Sequence, residues 1–237
     1  MNYENLCQSL FEEIEDEYSK RIEELNSFEN FLNSNPASDD FSSNYRKMLV
    51  VMLYSYFEGF CKKTFLIYID YINRTNIDIS NVKDGLVASS LETDFQNLFN
   101  SSYKPVRLGD KALREDGTLQ LYGRQREFIA QYISMMKKKV CISDKVVDTD
   151  SNLKSYVLKK ILFKLEIDFS LVDEYQNDLN ELVNKRNALA HGDRVRGLDE
   201  EEYNNYKKKT VGLMGEIKRV VYENYSLKKY MKNSDVA

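Results

Sequence analysis

The sequence predicts an all-α fold, and three observations carry that prediction. Only two prolines, Pro36 and Pro105, and nine glycines interrupt 237 residues, so little in the chain breaks a helix. Apolar residues recur at three- and four-residue steps over long stretches, the period of one helix face. The composition, 42% hydrophobic and 30% charged, supplies a core and is not that of a disordered chain. A single domain over residues 1–237 is expected from this length.

Residues 4–33 read as an amphipathic helix, with Leu6, Leu10, Ile14, Tyr18, Ile22, Leu25, Phe28 and Leu32 on its inner face. The polar stretch 33–43 reads as a loop. Residues 44–74 form a second long helix, apolar on nearly every face. Such a helix is buried from several sides, and packing against a second subunit as well as the chain's own core is one way to achieve that. The β-branched and aromatic run 65–72 also suits a strand. Residues 76–150 read as an insertion or elaboration. They hold a polar, Gly- and Pro-containing stretch at 76–117, a helical pattern at 125–136 and a short strand at 139–142. Helical pattern returns over residues 152–192, where Leu153, Val157, Ile161 and Leu165 make one stripe. Ser170 is expected to cap the following helix, which ends at Gly192. Asp199 is expected to cap the last helix, over residues 199–230.

Charge and cysteine content exclude several classes. The net charge is -4, but residues 1–30 carry nine acidic and two basic side chains, while residues 101–237 carry 26 basic and 21 acidic. The basic half leaves room for a phosphate-binding face; solvated helix faces of mixed charge account for the same residues. Cys7, Cys61 and Cys141 are far apart and form no CxxC pair, so neither a disulfide framework nor a cysteine zinc site is indicated. The acidic N-terminus is not a signal peptide, and the longest apolar stretch, near residues 48–60, is too short to span a bilayer. A cytoplasmic protein with no membrane association is therefore expected. No Gly-rich phosphate loop, HExxH or GxSxG is present, and no metal or cofactor is expected.

One segment stands out: Lys185-Arg186-Asn187-Ala188-Leu189-Ala190-His191-Gly192. It contains the only histidine of the chain, five residues after Arg186, at a predicted helix end. Histidine takes and gives a proton near neutral pH. The arginine fork binds phosphate oxygens and stabilises developing negative charge. The pair suits cleavage of an RNA phosphodiester, where the ribose 2′-hydroxyl is the built-in nucleophile. Five helical steps leave the two side chains about 140° apart, so they converge only if the last turn unwinds, which Gly192 allows. The bland reading is a histidine capping a helix C-terminus and an arginine in a surface ion pair.

Arg186-Asn187-x-x-x-His191 matches the Rx4-6H signature of the HEPN superfamily. The helix at 153–165, the residues Asp178, Leu179, Leu182 and Val183 leading into Arg186-Asn187, and the segment Tyr54-x-x-Phe57-Glu58-Gly59-Phe60-x-Lys62 resemble MAE-type HEPN-like nucleases of microbial defence and toxin systems. The resemblance covers roughly residues 44–74 and 150–230. It implies a helical bundle that dimerises with two motifs facing each other across a cleft. That arrangement would place two copies each of Arg186 and His191 in one composite site, supplying both the base and the acid that RNA cleavage needs. RNA, a second copy of the chain, and an antitoxin or defence-operon protein are the partners it implies. Some HEPN toxins carry a tyrosine two residues beyond the histidine, where modification silences them; Asp193 stands there in this chain.

Around this pair, Asn187 is expected to orient His191 or contact phosphate, or else to make a helix-end hydrogen bond. Glu58, a carboxylate within a strongly apolar helix, is expected to hold Arg186 or position substrate, or else to pair with Lys62 four residues on. Lys185, Arg194 and Arg196 could steer RNA toward the cleft, or be solvated charges. Tyr54, Tyr56 and Phe57 could stack on bases, or form core or dimer interface. The leading function is a metal-independent RNA endonuclease. The alternatives are a non-catalytic HEPN module that binds nucleotide or RNA or holds a dimer, and a plain helical interaction protein.

Overall fold

The computed structural model describes residues 2–35, 38–105, 116–193 and 196–232. Among them are eight α-helices and no strand: α1 (Tyr3–Ser34), α2 (Asp39–Arg74), α3 (Asp84–Ser90), α4 (Glu92–Phe99), α5 (Gly117–Met135), α6 (Ser155–Lys164), α7 (Gln176–Ala190) and α8 (Glu200–Ser226). The all-α class is as the sequence predicts, including the run 65–72, which is helical.

α2 is the central element. It packs along α1 and α8 and crosses α7. Leu49, Leu53, Tyr54, Phe57, Phe60, Phe65, Tyr68, Ile69 and Ile72 are all buried, which accounts for its apolar residues on every face. Packing within one chain suffices for that burial, and no second subunit is needed for it. α2 begins at Asp39, five residues before the sequence-predicted start. The Ser38 hydroxyl accepts the Phe41 N–H, and Asp39 and Asp40 occupy the positive end of the helix.

The lopsided charge also finds its explanation in packing. Acidic α1 lies beside α8, where Glu15 pairs with Lys218 at 2.6 Å and Glu29 pairs with Lys207. Tyr71 Oη donates to Glu13 and Tyr203 Oη to Glu29. Part of the basic charge of the C-terminal half is thus matched inside the bundle and is not free to bind phosphate.

The middle region is more ordered than its composition suggested. It carries α3, α4 and α5, with α5 starting eight residues before the sequence-predicted helix. The Asp116 carboxylate accepts the Leu119 N–H and sets that start. The strand expected at 139–142 does not form: Lys139 makes an isolated antiparallel bridge with Asp78. The Asn73 side chain takes the place of a neighbouring strand, accepting the Ile142 N–H at 2.8 Å and donating to its carbonyl at 3.0 Å. α4 and α5 form a hairpin. Phe95 meets Phe128 at 5.3 Å, and buried Arg124 donates to the carbonyls of Leu98 and Tyr103.

Two further expectations concern caps. Ser170 does not cap the long helix, which starts at Gln176 after a 3-10 turn over Ser170–Tyr175. Asp168 caps that turn, accepting the Ser170 N–H and hydroxyl, both at 2.9 Å; those bonds hold its carboxyl below the usual range. Asp199 does cap α8, accepting the Glu202 N–H at 2.8 Å.

Candidate functional site

The singled-out segment forms the C-terminal end of α7. The Asp193 N–H bonds the Ala188 carbonyl at 3.0 Å and the Gly192 N–H bonds that of Leu189 at 3.2 Å, with Gly192 at φ +78°. This is a Schellman cap, and Gly192 is there because its backbone enters the left-handed region. His191, at φ −85° and ψ 0°, remains close to helical geometry. The last turn therefore stays wound up to the histidine. Within one chain Arg186 and His191 point to different sides of the helix, with no hydrogen bond between them. The convergence by unwinding that the sequence allowed does not occur, because the left-handed residue lies after His191. The imidazole is exposed at the helix end.

Arg186 has a different setting. Its guanidinium lies over the Tyr54 ring of α2, 4.9 Å from the centroid. One of its nitrogens donates to Asn187 Oδ1 at 2.8 Å and to Asn152 Oδ1 at 3.2 Å. Tyr54 is itself fixed: it is fully buried, and its hydroxyl accepts the Leu153 N–H at 2.7 Å. Burial, chiefly, pushes the phenol well above its ordinary range, so it is neutral at any physiological pH. Asn152 and Leu153 belong to the turn before α6. Asp150 and Ser151 both take positive φ there, and Asp150 is anchored by Lys160 at 2.5 Å. On the far side of the turn the Ser155 N–H bonds Asn180 Oδ1 of α7 at 3.1 Å. Three separate parts of the chain thus converge on one guanidinium.

These contacts leave the charge of Arg186 intact. Among the described residues its partners are two amide oxygens and a π-face, with no carboxylate. The neighbouring cations differ. Lys185 and Arg196 both pair with Glu202, at 3.1 and 3.0 Å. Their charge is shared with a carboxylate, so as phosphate ligands they are weaker than the sequence suggested. Arg194 lies outside the described residues. Asn187 Oδ1 accepts from Arg186, a contact that the sequence did not suggest. Glu58 is half-buried near the Tyr54 hydroxyl, where its charge helps raise the phenol pKa. No ion pair joins Glu58 to Arg186 or to Lys62 among the described residues. Asn152 was missed by sequence reasoning. A lone asparagine in a polar turn carries no signal until the turn is folded against α7.

Chemically, the arrangement offers a held guanidinium with no carboxylate partner among the described residues and, one helical turn on, an accessible imidazole. Among the described residues no group of three metal-ligating side chains gathers, and no helix is long and apolar enough to cross a membrane.

Neither the curated proteins nor the solved structures yield a match to this chain. Residues 16–223 match the family model described as RiboL-PSP-HEPN. The match takes in α2, the middle region, α7 with its Arg186-x4-His191 motif, and most of α8. An all-helical bundle with that motif at a helix end and a family match over most of its length belongs to the RiboL-PSP-HEPN family of the HEPN superfamily.

Proposed function

We propose that this chain is a metal-independent RNA endonuclease in which Arg186 and His191 do the chemistry. Membership of a HEPN family points in general to nuclease or RNA-binding function. The observation that supports the sharper reading is the setting of Arg186: a cation oriented by amide oxygens and an aromatic face, with no carboxylate partner among the described residues. A guanidinium so held is pre-organised for a phosphate and for the extra negative charge of a pentacoordinate phosphorus.

In this reading a neutral His191 imidazole takes the proton of the ribose 2′-hydroxyl. The 2′-oxygen then attacks phosphorus, and the bond from phosphorus to the 5′-oxygen breaks. The leaving oxygen takes a proton from a second imidazole in its protonated form. The products are a 2′,3′-cyclic phosphate and a free 5′-hydroxyl. One chain holds a single histidine, so the second imidazole comes from a second copy, and the site is composite. A toxin or phage-defence effector is the biological role that best fits such an activity, with an antitoxin or operon partner restraining it; this role rests on the family alone.

The test is incubation of the purified protein with cellular RNA in EDTA, beside His191→Ala and Arg186→Ala. Cleavage by the wild type only, with cyclic phosphate ends, is the expected result. Equal cleavage by wild type and His191→Ala would remove His191 from the mechanism. One observation favours a second reading, a non-catalytic RNA-binding module: the Schellman cap explains Gly192 locally, and Arg186 and His191 do not meet within a chain. RNA binding that depends on Arg186, with no cleavage and no effect of His191→Ala, would select it.

A further inference from the structure

A cavity of about 600 Å³ opens where α3 and α4 meet the C-terminal end of α6. Fixed elements build it. The Ser89 hydroxyl of α3 donates to the Lys164 carbonyl at 3.1 Å, and the Gly85 N–H donates to Glu166 Oε1, just beyond α6, at 2.7 Å. Phe95 of α4, which lines the cavity, is backed by Phe128 of α5 at 5.3 Å. The volume falls within the range of small-molecule sites, roughly 300 to 1,000 Å³.

The lining combines rings with charges. Phe99 and Phe163 line the cavity and are 76% and 68% exposed. Phe169 meets the Phe163 ring edge-on at 6.3 Å and leaves most of it open. Among the described residues the lining has one carboxylate, Glu92, and one cation, Lys164. Neither forms an ion pair there; the charge of Lys164 is felt by Asp150, which already pairs with Lys160. A purely apolar ligand would cover both charges without satisfying either. A ligand that suits the whole lining is planar and aromatic, has N–H donors on one edge and bears an anion. A nucleotide has all three. Among the four RNA bases, only guanine sets two N–H donors, N1–H and the 2-amino group, side by side on its Watson–Crick edge. A carboxylate accepts such a pair in two parallel bonds.

The outer face of α6 connects this cavity to Arg186. Asn152 bonds Arg186 just before the helix begins at Ser155. Phe163 lies about 12 Å farther along, from a rise of about 1.5 Å per residue. Tyr156, 62% exposed, stands two helical turns before Phe163 and shares its open face. The distance suits about three or four stacked nucleotides at about 3.4 Å each.

We propose that the cavity binds a guanine base of single-stranded RNA, about three or four nucleotides from the scissile phosphate. Glu92 accepts N1–H and the 2-amino group, Phe99 and Phe163 pack on the base, and Lys164 meets its phosphate. Tyr156 stacks on a base between the cavity and the cleavage site. A duplex is rejected, because pairing occupies the edge that Glu92 reads. The inference rests on the ribonuclease reading and adds to it a source of substrate specificity.

The test measures binding apart from cleavage. The full chain carrying His191→Ala is titrated, in EDTA, into short labelled RNAs of uridine with one central guanine or one central adenine. Fluorescence anisotropy is expected to show the guanine RNA bound about 10-fold or more tightly than the adenine RNA. Adding Glu92→Gln sets an amide donor against a guanine donor and should bring the two RNAs within about twofold of each other. Adding Phe163→Ala should weaken the guanine RNA about 10-fold. Phe163 is exposed and Glu92 unpaired, so both variants are expected to keep their helix content by circular dichroism. Equal affinity for the two RNAs, a guanine preference that survives Glu92→Gln, or no binding to either RNA would each overturn the proposal. So would free guanosine monophosphate that binds in a Glu92-dependent way without displacing the RNA, since the cavity would then serve a free nucleotide. The ribonuclease reading is decided separately, by cleavage with wild type against His191→Ala.

Discussion

Arg186→Lys keeps the positive charge at the site and removes the geometry, so it isolates what the surroundings of Arg186 contribute. The guanidinium bonds two amide oxygens, of Asn187 and Asn152, and lies over Tyr54. A lysine ammonium has a comparable charge but no planar fork, and stacks poorly on an aromatic ring. It can keep one of the two hydrogen bonds from that position, and the loss of the other costs about 1.5 kcal/mol for a charged donor. The weaker contact with the ring costs about a further 0.5 kcal/mol. If that orientation is what the transition state uses, about 2 kcal/mol is lost from its stabilisation, a fall of about 30-fold in kcat/KM. The assay is cleavage of a short labelled RNA in EDTA, with thermal unfolding followed in parallel. Arg186→Ala should lose more, about 100- to 1,000-fold, because the charge goes as well. Arg186→Lys within about threefold of wild type, with an unchanged melting temperature, would show that the clamp around Arg186 has no catalytic consequence.

Three other outcomes follow from the same structure. Asn152→Asp sets a carboxylate where an amide oxygen accepts from Arg186 at 3.2 Å; RNA affinity should fall about tenfold in a filter-binding assay while the melting temperature holds or rises, the reverse of a purely structural defect. Gly192→Ala meets no atom within 4 Å of the new Cβ, so its cost is the left-handed backbone alone, about 1 kcal/mol, seen as a drop of about 3 °C in melting temperature. Burial, above all, raises the phenols of Tyr54, Tyr68, Tyr203, Tyr206 and Tyr225 above 10.0, and Tyr71 to about 12. A raised folded-state pKa favours the folded protein fully below the unfolded value. That advantage is lost as pH climbs through the folded values, so stability should decline above about pH 10. Phenolate absorbance should then rise in two steps, exposed tyrosines first and the buried set only with loss of helix; one smooth titration of all tyrosines with the helix intact would contradict the burial.

The sequence by itself determined the class of fold and the placement of its principal helices. Those properties depend on short-range regularities: the periodicity of α1, the all-round apolarity of α2, Asp199 ahead of α8 and Gly192 beyond α7. A cap or a stripe is a relation between residues a few positions apart, so it is written in the chain. The Arg186-x4-His191 motif was legible for the same reason, and with it the HEPN family. The strand expected at 139–142 failed because the Asn73 side chain, 69 residues away in the chain, occupies the backbone groups a neighbouring strand would use. The surroundings of Arg186 were also out of reach. Tyr54 comes from α2, and Asn152 from a turn with two left-handed residues, which join α7 only when the bundle closes. Tertiary packing alone decided that Lys185 and Arg196 share Glu202 while Arg186 is left with neutral partners. Which cation keeps its charge depends on which carboxylate folds beside it, and that is a distance in space rather than along the chain.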